Sequence, residues 1–230
     1  MMKPAIPRIE RMIHDISFET AESRDWTGIS AIAPAVLDAM RAIPRDAFVA
    51  EEYWPQAYAN HPLPAGFGQT ISQPFIVALM TQLLMPQAGH TMLEIGTGTG
   101  YQSAILARLV ERVISVEVIA ELAERAGKLL VRLGVANVEI HHGDGYLGYP
   151  RAAPYDGIIV TACAREIPLP LFGQLKPGAR MVIPLGPPHG AQELMLVEKS
   201  PGGSMSSRSV LPVAFVPLTR AADKKDSAST

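Results

Sequence analysis

The pattern of hydrophobic positions changes near residue 85. Up to about Leu84, apolar residues recur at helical spacing, and stretches rich in Pro and Gly interrupt them. From about Thr91 onward, short apolar runs alternate with amphipathic segments, which is the pattern of a parallel sheet covered by helices. The sequence therefore predicts an α/β protein with a helical extension on its N-terminal side.

Within the extension, residues 30–43 are predicted to form a helix that stops before Pro44, and residues 45–49 a second short helix. Residues 54–70 are rich in Pro, Gly and aromatic side chains, which predicts an irregular loop. Residues 73–84 are predicted to form an amphipathic helix with proline in its first turn.

The second part of the chain predicts seven strands. They fall near 91–95, 112–117, 137–141, 156–161, 179–184, 192–199 and 209–217, with helices near 101–110, 119–133 and 168–175. The last two strands have no clear helix between them, so we expect an antiparallel hairpin at a sheet edge, with its turn at 200–207. We divide the chain into an extension (1–85), an α/β core (86–220) and a polar, flexible tail (221–230), with the extension part of the same domain.

The first strand runs into a glycine-rich turn at residues 92–101, directly before a helix. Glycines let the backbone approach a ligand closely at such a turn. A dinucleotide site favours G-x-G-x-x-G, but here the spacing is G-x-G-x-G and Tyr101 stands where the third glycine would fall. Glu94 ends the strand and would repel a pyrophosphate, so a cationic ligand without phosphate, such as S-adenosylmethionine, fits better. The loop comprises Gly96, Thr97, Gly98, Thr99 and Gly100.

Acidic residues follow the next two strands. Glu117 ends the second strand, where a carboxylate can accept both ribose hydroxyls of an adenosine ligand. After the third strand, Asp144 can accept the exocyclic amine of adenine, and Gly143 and Gly145 leave space for the ring. Two alternatives stay open: an ordinary Asp-Gly turn at 144, and a role for Glu94 in ordering the loop rather than in contacting the ligand.

Composition narrows the function classes. The 230 residues include 48% hydrophobic ones and carry a net charge of −2, with no Lys/Arg block. These values favour one folded domain and argue against a nucleic-acid partner. No apolar run is long enough for a membrane span, no signal-peptide pattern starts the chain, and no metal-ligand spacing occurs. We expect a cytoplasmic monomer without metal, in which the single Cys163 is a packed side chain.

The fourth strand ends in Thr161-Ala-Cys-Ala. Methyltransferases that act on the amino groups of nucleic-acid bases commonly place Asn/Asp-Pro-Pro-Tyr at this point, to hold an extruded base. Its absence argues against base methylation.

Several segments together resemble the protein-L-isoaspartate (D-aspartate) O-methyltransferases. The most specific is Gly66-Phe-Gly-Gln-Thr-Ile-Ser-Gln-Pro74. The resemblance continues, in the same order along the chain, at 43–49, 93–102, 142–145, 155–162, 166–168 and 215–218.

This resemblance implies a Rossmann-like methyltransferase fold and methyl transfer from S-adenosylmethionine to the carboxylate of L-isoaspartyl residues in damaged proteins, which leads to repair through a succinimide. The family's essential hydroxyl falls on Ser72, and we expect the 55–70 loop to be a lid and peptide clamp. The substrate site falls on Gln69, Thr70, Ile71 and Ser72. The cofactor contacts implied by the family fall on Thr99, Glu117, Gly143, Asp144 and Thr219, and we add Glu94 and the remaining loop residues.

Two departures from the family's pattern and several alternatives remain. One departure is Cys163, which replaces the small residue expected after Thr-Ala. Animal-type members carry Pro-His-Met-His after this serine, whereas Pro74 is followed here by Phe-Ile-Val, so no contact is carried over. From residues alone, Ser72 is also a candidate N-cap for the helix that follows. Alternative functions are a methyltransferase for another acceptor, a non-catalytic cofactor sensor and a nicotinamide oxidoreductase.

Overall fold

A computed structural model describes residues 7–187 and 190–220. The predicted tail at 221–230 lies outside the described residues. The α-helices are α1 (Arg8–Glu22), α2 (Arg24–Thr27), α3 (Pro34–Ala42), α4 (Pro74–Leu84), α5 (Tyr101–Ala107), α6 (Ala120–Arg132) and α7 (Leu169–Gly173). Short 3₁₀ helices span Arg45–Phe48, Glu51–Gln56, Gly145–Leu147 and Pro150–Ala152.

Seven strands form one sheet, as predicted, and two more form a separate small sheet. The small sheet pairs β1 (Leu63–Gly66) with β2 (Gln69–Ile71). The large sheet contains β3 (Thr91–Ile95), β4 (Arg112–Glu117), β5 (Val138–His142), β6 (Tyr155–Val160), β7 (Leu175–Leu185), β8 (Gln192–Lys199) and β9 (Met205–Val213).

The large sheet has the order β5-β4-β3-β6-β7-β8-β9. Strands β5, β4, β3, β6 and β7 are parallel, and β8 and β9 are antiparallel to their neighbours. The chain steps outward from β3 to β5 and then returns to β6 on the other side of β3. Ligands of open α/β sheets bind where the strand order reverses in this way, outside the carboxyl ends of the strands.

Alternate residues of each strand face two different cores. Met92 and Val113 belong to a cluster with α1, α3, α4 and α5, whereas Leu93 and Ile114 pack with Leu171 of α7. Strands buried on both faces read as continuous apolar runs, which is why β3 and β4 were recognisable from sequence. The extension and the sheet share the first cluster, and the predicted division of the chain stays a prediction.

Helix α4 differs from its prediction as an amphipathic helix. Ten of its eleven residues are buried, because it packs between the sheet and the helices α1 and α3. A helix that is apolar around its whole circumference belongs inside a core. The exception is Gln82, whose side-chain oxygen accepts a hydrogen bond from the Ala33 amide at 2.7 Å.

The predicted loop at 54–70 is wrong in part, because it contains the end of a 3₁₀ helix and the β1–β2 hairpin. The two-residue turn places both Phe67 (φ 54°) and Gly68 (φ 70°) at positive φ, as type I′ hairpin turns require. Strands of four and three residues are too short to show a reliable period of two. Their glycines and prolines therefore predicted loop instead of strand.

The last predicted strand, 209–217, is shifted. Strand β9 ends at Val213, and residues 216–218 instead pair with Cys163, beyond β6. Helices in the described part of the chain are too short or too polar to cross a bilayer.

Candidate functional site

A cavity lies at the point where the strand order reverses. Its walls come from the glycine loop after β3, the end of β4, the first residues after β6, the hairpin strand β2 and the segment 216–219. Of the predicted site residues, the cavity brings together Gln69, Thr70, Ile71, Ser72, Gly96, Thr97, Gly98, Thr99, Glu117 and Thr219.

The charge of this cavity distinguishes between ligands. Glu117 is the only charged side chain among the described residues that line it. A pyrophosphate would meet a carboxylate and no cation, whereas a sulfonium would be attracted. The lining therefore suits S-adenosylmethionine better than a nicotinamide dinucleotide.

Glu117 holds the loop from the end of β4. One carboxylate oxygen accepts a hydrogen bond from the Gly98 amide at 2.8 Å, and the other from the Ile119 amide at 2.9 Å. Each oxygen retains a further lone-pair direction. The side chain is 5% exposed, so it is fixed in place before any ligand arrives.

Glu94 is fully buried and lies outside the cavity lining. The hydroxyls of Ser103 and Ser115 both donate to its Oε2 atom, and Ser115 in turn bonds Thr97 of the loop at 2.6 Å. This network supports the alternative that Glu94 orders the loop. Burial raises the pKa of Glu94 to about 7; the serine hydrogen bonds oppose the rise, and the charge of Glu117 adds to it.

The first residue after β6 binds the glycine loop on the side opposite β4. The Thr161 hydroxyl donates to the carbonyl of Gly96 at 2.6 Å. Gly96 has a φ of 91°, and a Cβ atom there would lie 2.4 Å from the Thr161 oxygen. Only glycine fits this position. Thr161 is not among the site residues predicted from the sequence.

Ser72 follows β2 directly and lines the cavity. The N-cap of α4 is Gln73, with no side-chain capping bond, so the N-cap alternative for Ser72 is wrong. The Ser72 carbonyl accepts a hydrogen bond from Nη2 of Arg45 at 2.7 Å.

Arg45 is a residue that the sequence analysis did not select, although it lies in the family segment 43–49. It is 0% exposed, and its Nε atom donates to the Ala57 carbonyl at 2.9 Å. Its guanidinium lies 4.8 Å from the centre of the Tyr101 ring, and Tyr101 lines the cavity. Burial lowers the pKa of Arg45, and no carboxylate within residues 7–187 and 190–220 forms an ion pair with it.

The segment 216–219 reaches the cavity through backbone pairing. The Cys163 amide donates to the Val216 carbonyl at 2.8 Å, and the Leu218 amide donates to the Cys163 carbonyl at 2.8 Å. Thr219 follows at the cavity edge. Cys163 itself is buried and burial raises the pKa of its thiol, as for a packed side chain.

Three further predicted cofactor residues do not line the cavity. Gly100 is the N-cap of α5, and Gly143 directly follows β5. Asp144 is the N-cap of a 3₁₀ helix, where its carboxylate accepts a hydrogen bond from the Tyr146 amide at 3.0 Å. Their neighbour Gly145 does line the cavity. The roles predicted for all three stay predictions.

The raised pKa of Glu94 predicts a pH-dependent stability. Between the ordinary value of 4.5 and about 7, the folded protein keeps a proton that the unfolded chain has lost. Stability therefore falls as pH rises through this window and levels off above it. Relative to Glu94→Gln, which stays neutral, the free energy of unfolding should fall by on the order of 3 kcal/mol across the window.

Urea unfolding of both proteins at a series of pH values measures this difference. The control is Glu121→Gln, an exposed substitution of the same type on α6. Parallel pH profiles for the wild type and Glu94→Gln would contradict the protonation of Glu94 in the folded state.

Comparison with known proteins identifies the family of this chain. Residues 27–223 match the family model described as protein-L-isoaspartate(D-aspartate) O-methyltransferase (PCMT). Protein-L-isoaspartate O-methyltransferase 2 of Syntrophobacter fumaroxidans is 51% identical over 209 residues, which cover 91% of this chain and 85% of that protein. The protein of the same name from Polaromonas sp. is 50% identical over 208 residues, covering 90% and 99%.

Solved structures agree. A protein-L-isoaspartate O-methyltransferase superposes with a TM-score of 0.81 at 29% identity, covering 93% of this chain and 66% of that one. A Plasmodium falciparum structure assigned to the same enzyme, in complex with S-adenosyl-L-homocysteine, has a TM-score of 0.73 at 22% identity, covering 90% and 98%, and supports the fold. The chain belongs to the protein-L-isoaspartate (D-aspartate) O-methyltransferase family.

Proposed function

We propose that this protein transfers the methyl group of S-adenosylmethionine to the carboxylate of L-isoaspartyl residues in damaged proteins. The observation that carries the proposal is the hairpin segment 69–72, which contributes to the same cavity as the glycine loop. Family membership and the named relatives support the same activity. The bound cofactor supplies an electrophilic methyl group on a sulfonium, and Glu117 and the loop residues 96–99 would hold it.

The acceptor needs no general base. A carboxylate is already ionised at neutral pH, so one of its oxygens can attack the methyl carbon while the S–CH₃ bond breaks and sulfur keeps the electron pair. The products are the methyl ester and S-adenosylhomocysteine. The ester then loses methanol when the adjacent backbone nitrogen closes the succinimide ring. The protein contributes in-line positioning and exclusion of water.

Apolar side chains supply the dry surroundings, since Ile71, Val77, Ile95, Val116 and Leu218 all line the cavity. We assign the Ser72 hydroxyl the role of donating a hydrogen bond to one carboxylate oxygen, which directs the other oxygen toward the methyl group. Gln69, Thr70 and Ile71 would contact the peptide beside it.

We further propose that Arg45 is a positioning residue that acts through Ser72. It donates to the Ser72 carbonyl and lies outside the cavity lining. A hydrogen bond from a charged donor in a buried site is worth more than a neutral one. Arg45 therefore restrains the backbone that carries the Ser72 hydroxyl.

The proposal also covers the cellular setting: a cytoplasmic monomer that acts on proteins and peptides, without metal, nucleic acid or membrane. The near-zero net charge supports the expectation that nucleic acid is not a partner. No cluster of three or more metal-ligating side chains occurs within residues 7–187 and 190–220.

The first test is transfer of labelled methyl to two peptides that differ only in L-isoaspartyl or L-aspartyl linkage. We expect base-labile ester on the isoaspartyl peptide alone, because only its carboxylate has the matching position. Equal labelling of both peptides would favour another acceptor. Cofactor binding without any turnover would favour a sensor.

Substitution of Ser72 by alanine should lower kcat by about 10² to 10³, as other positioned donors do. Cofactor affinity should change little, because the glycine loop is untouched. Ser207→Ala, an exposed serine on β9, is the matched control. An unchanged kcat in Ser72→Ala would contradict the orienting role assigned to the Ser72 hydroxyl.

Arg45→Met should lower kcat on the order of ten- to a hundred-fold, and Arg45→Lys, which keeps a cationic donor, should recover part of the loss. Isothermal titration should show unchanged cofactor affinity. In the double variant with Ser72→Ala, the two losses should not multiply, because both act on one hydroxyl. Losses that multiply would mean that Arg45 acts independently of Ser72.

A further inference from the structure

A second, larger cavity adjoins the candidate site. It is a groove of about 780 Å³ between α6 and the N-terminal extension. It shares Gly98 and Thr99 of the glycine loop with the cavity of the candidate site, which we call the cofactor cavity. Its other walls are residues 47–50, Ala65 of β1 and one side of α6.

The groove carries the opposite charge to the cofactor cavity. Arg125, Lys128 and Arg132 line it, and no described lining residue is acidic. Their spacing of three and four residues places these cations on one face of α6. Lys128 pairs with Glu124 at 2.5 Å. Within residues 7–187 and 190–220, neither arginine forms an ion pair.

Apolar side chains accompany the cations. Phe48, Val49, Leu122 and Leu129 line the groove, and Val131 lines it while 77% exposed. Such a surface can cover the methylene groups of a glutamate while a guanidinium binds its carboxylate.

The groove also touches the hairpin that leads to Ser72. A Cβ atom on Gly66 would lie 3.7 Å from Nη1 of Arg125, so the guanidinium lies against the hairpin backbone. From Arg125 to Arg132, α6 rises about 10 Å, which roughly three residues of extended peptide span. A short segment of a substrate that crosses the hairpin could therefore meet both arginines.

We propose that this groove binds acidic residues that flank the isoaspartyl residue, so that the enzyme prefers damaged sites in acidic segments. The inference rests on the proposed function, because it assumes an isoaspartyl peptide at Ser72. It names Arg125 and Arg132 as the specificity-determining residues. Neither lines the cofactor cavity.

The test compares isoaspartyl peptides that are identical except for a flanking run of Glu or Gln, placed on either side of the isoaspartyl residue. At low salt, kcat/KM should favour the Glu peptide by about ten-fold on one side, since two exposed ion pairs contribute up to roughly five-fold each. The preference should disappear at about 1 M salt, where charges are screened beyond about 3 Å.

The decisive variant is Arg125→Gln combined with Arg132→Gln. It should bring kcat/KM for the Glu peptide to within about two-fold of kcat/KM for the Gln peptide, because surface pairs act only on the charged substrate. The matched control is Arg108→Gln with Arg151→Gln, two exposed arginines that line neither cavity. It should keep the preference.

The outcomes separate the two proposals. If the wild type methylates neither peptide, the proposed function fails. If it methylates both peptides equally well at low salt, on both flanks, only the groove assignment is overturned. A preference for Glu that survives in the Arg125/Arg132 variant would also overturn the groove assignment, because another part of the protein would then bind the acidic residues.

Discussion

Two buried carboxylates at the ends of neighbouring strands hold the loop between β3 and α5. Glu117 binds the Gly98 amide directly, and Glu94 reaches Thr97 through Ser115. Charges buried without a cationic partner are costly, and the rise in the pKa of Glu94 reflects that cost. A cationic ligand offsets this repulsion, whereas a pyrophosphate adds to it. The preference for a sulfonium therefore follows from the same bonds that shape the loop.

The N-terminal extension contributes part of the wall of the cofactor cavity. Helix α4 of the extension is buried between helices α1 and α3 and the sheet, and the hairpin before α4 brings Ser72 to the cavity. Arg45 connects the two parts, since it bonds the Ser72 carbonyl and lies over the Tyr101 ring of the core. In the proposed reaction, the acceptor side thus depends on contacts between segments that are distant in sequence.

The glycine loop separates regions of opposite charge. On one side, Glu117 is the only charged residue lining the cofactor cavity in the described chain; on the other, α6 presents three cations. Gly98 and Thr99 border both. A cationic cofactor and an acidic peptide could approach the same loop from different sides without competing for the same charges.

Local sequence patterns were sufficient to predict much of the fold and of the cofactor site. Short runs of apolar residues mark strands β3 and β4, and the G-x-G-x-G spacing with Glu117 at the end of the next strand indicates an adenosine ligand. The same patterns failed where the deciding contacts are long-range. Nothing near Glu94 shows that Ser103 and Ser115 enclose it, and nothing near residue 216 shows that its backbone pairs with Cys163 instead of extending β9. Periodicity reports which face of a segment is apolar, whereas tertiary packing decides which partner covers that face and which polar groups meet there.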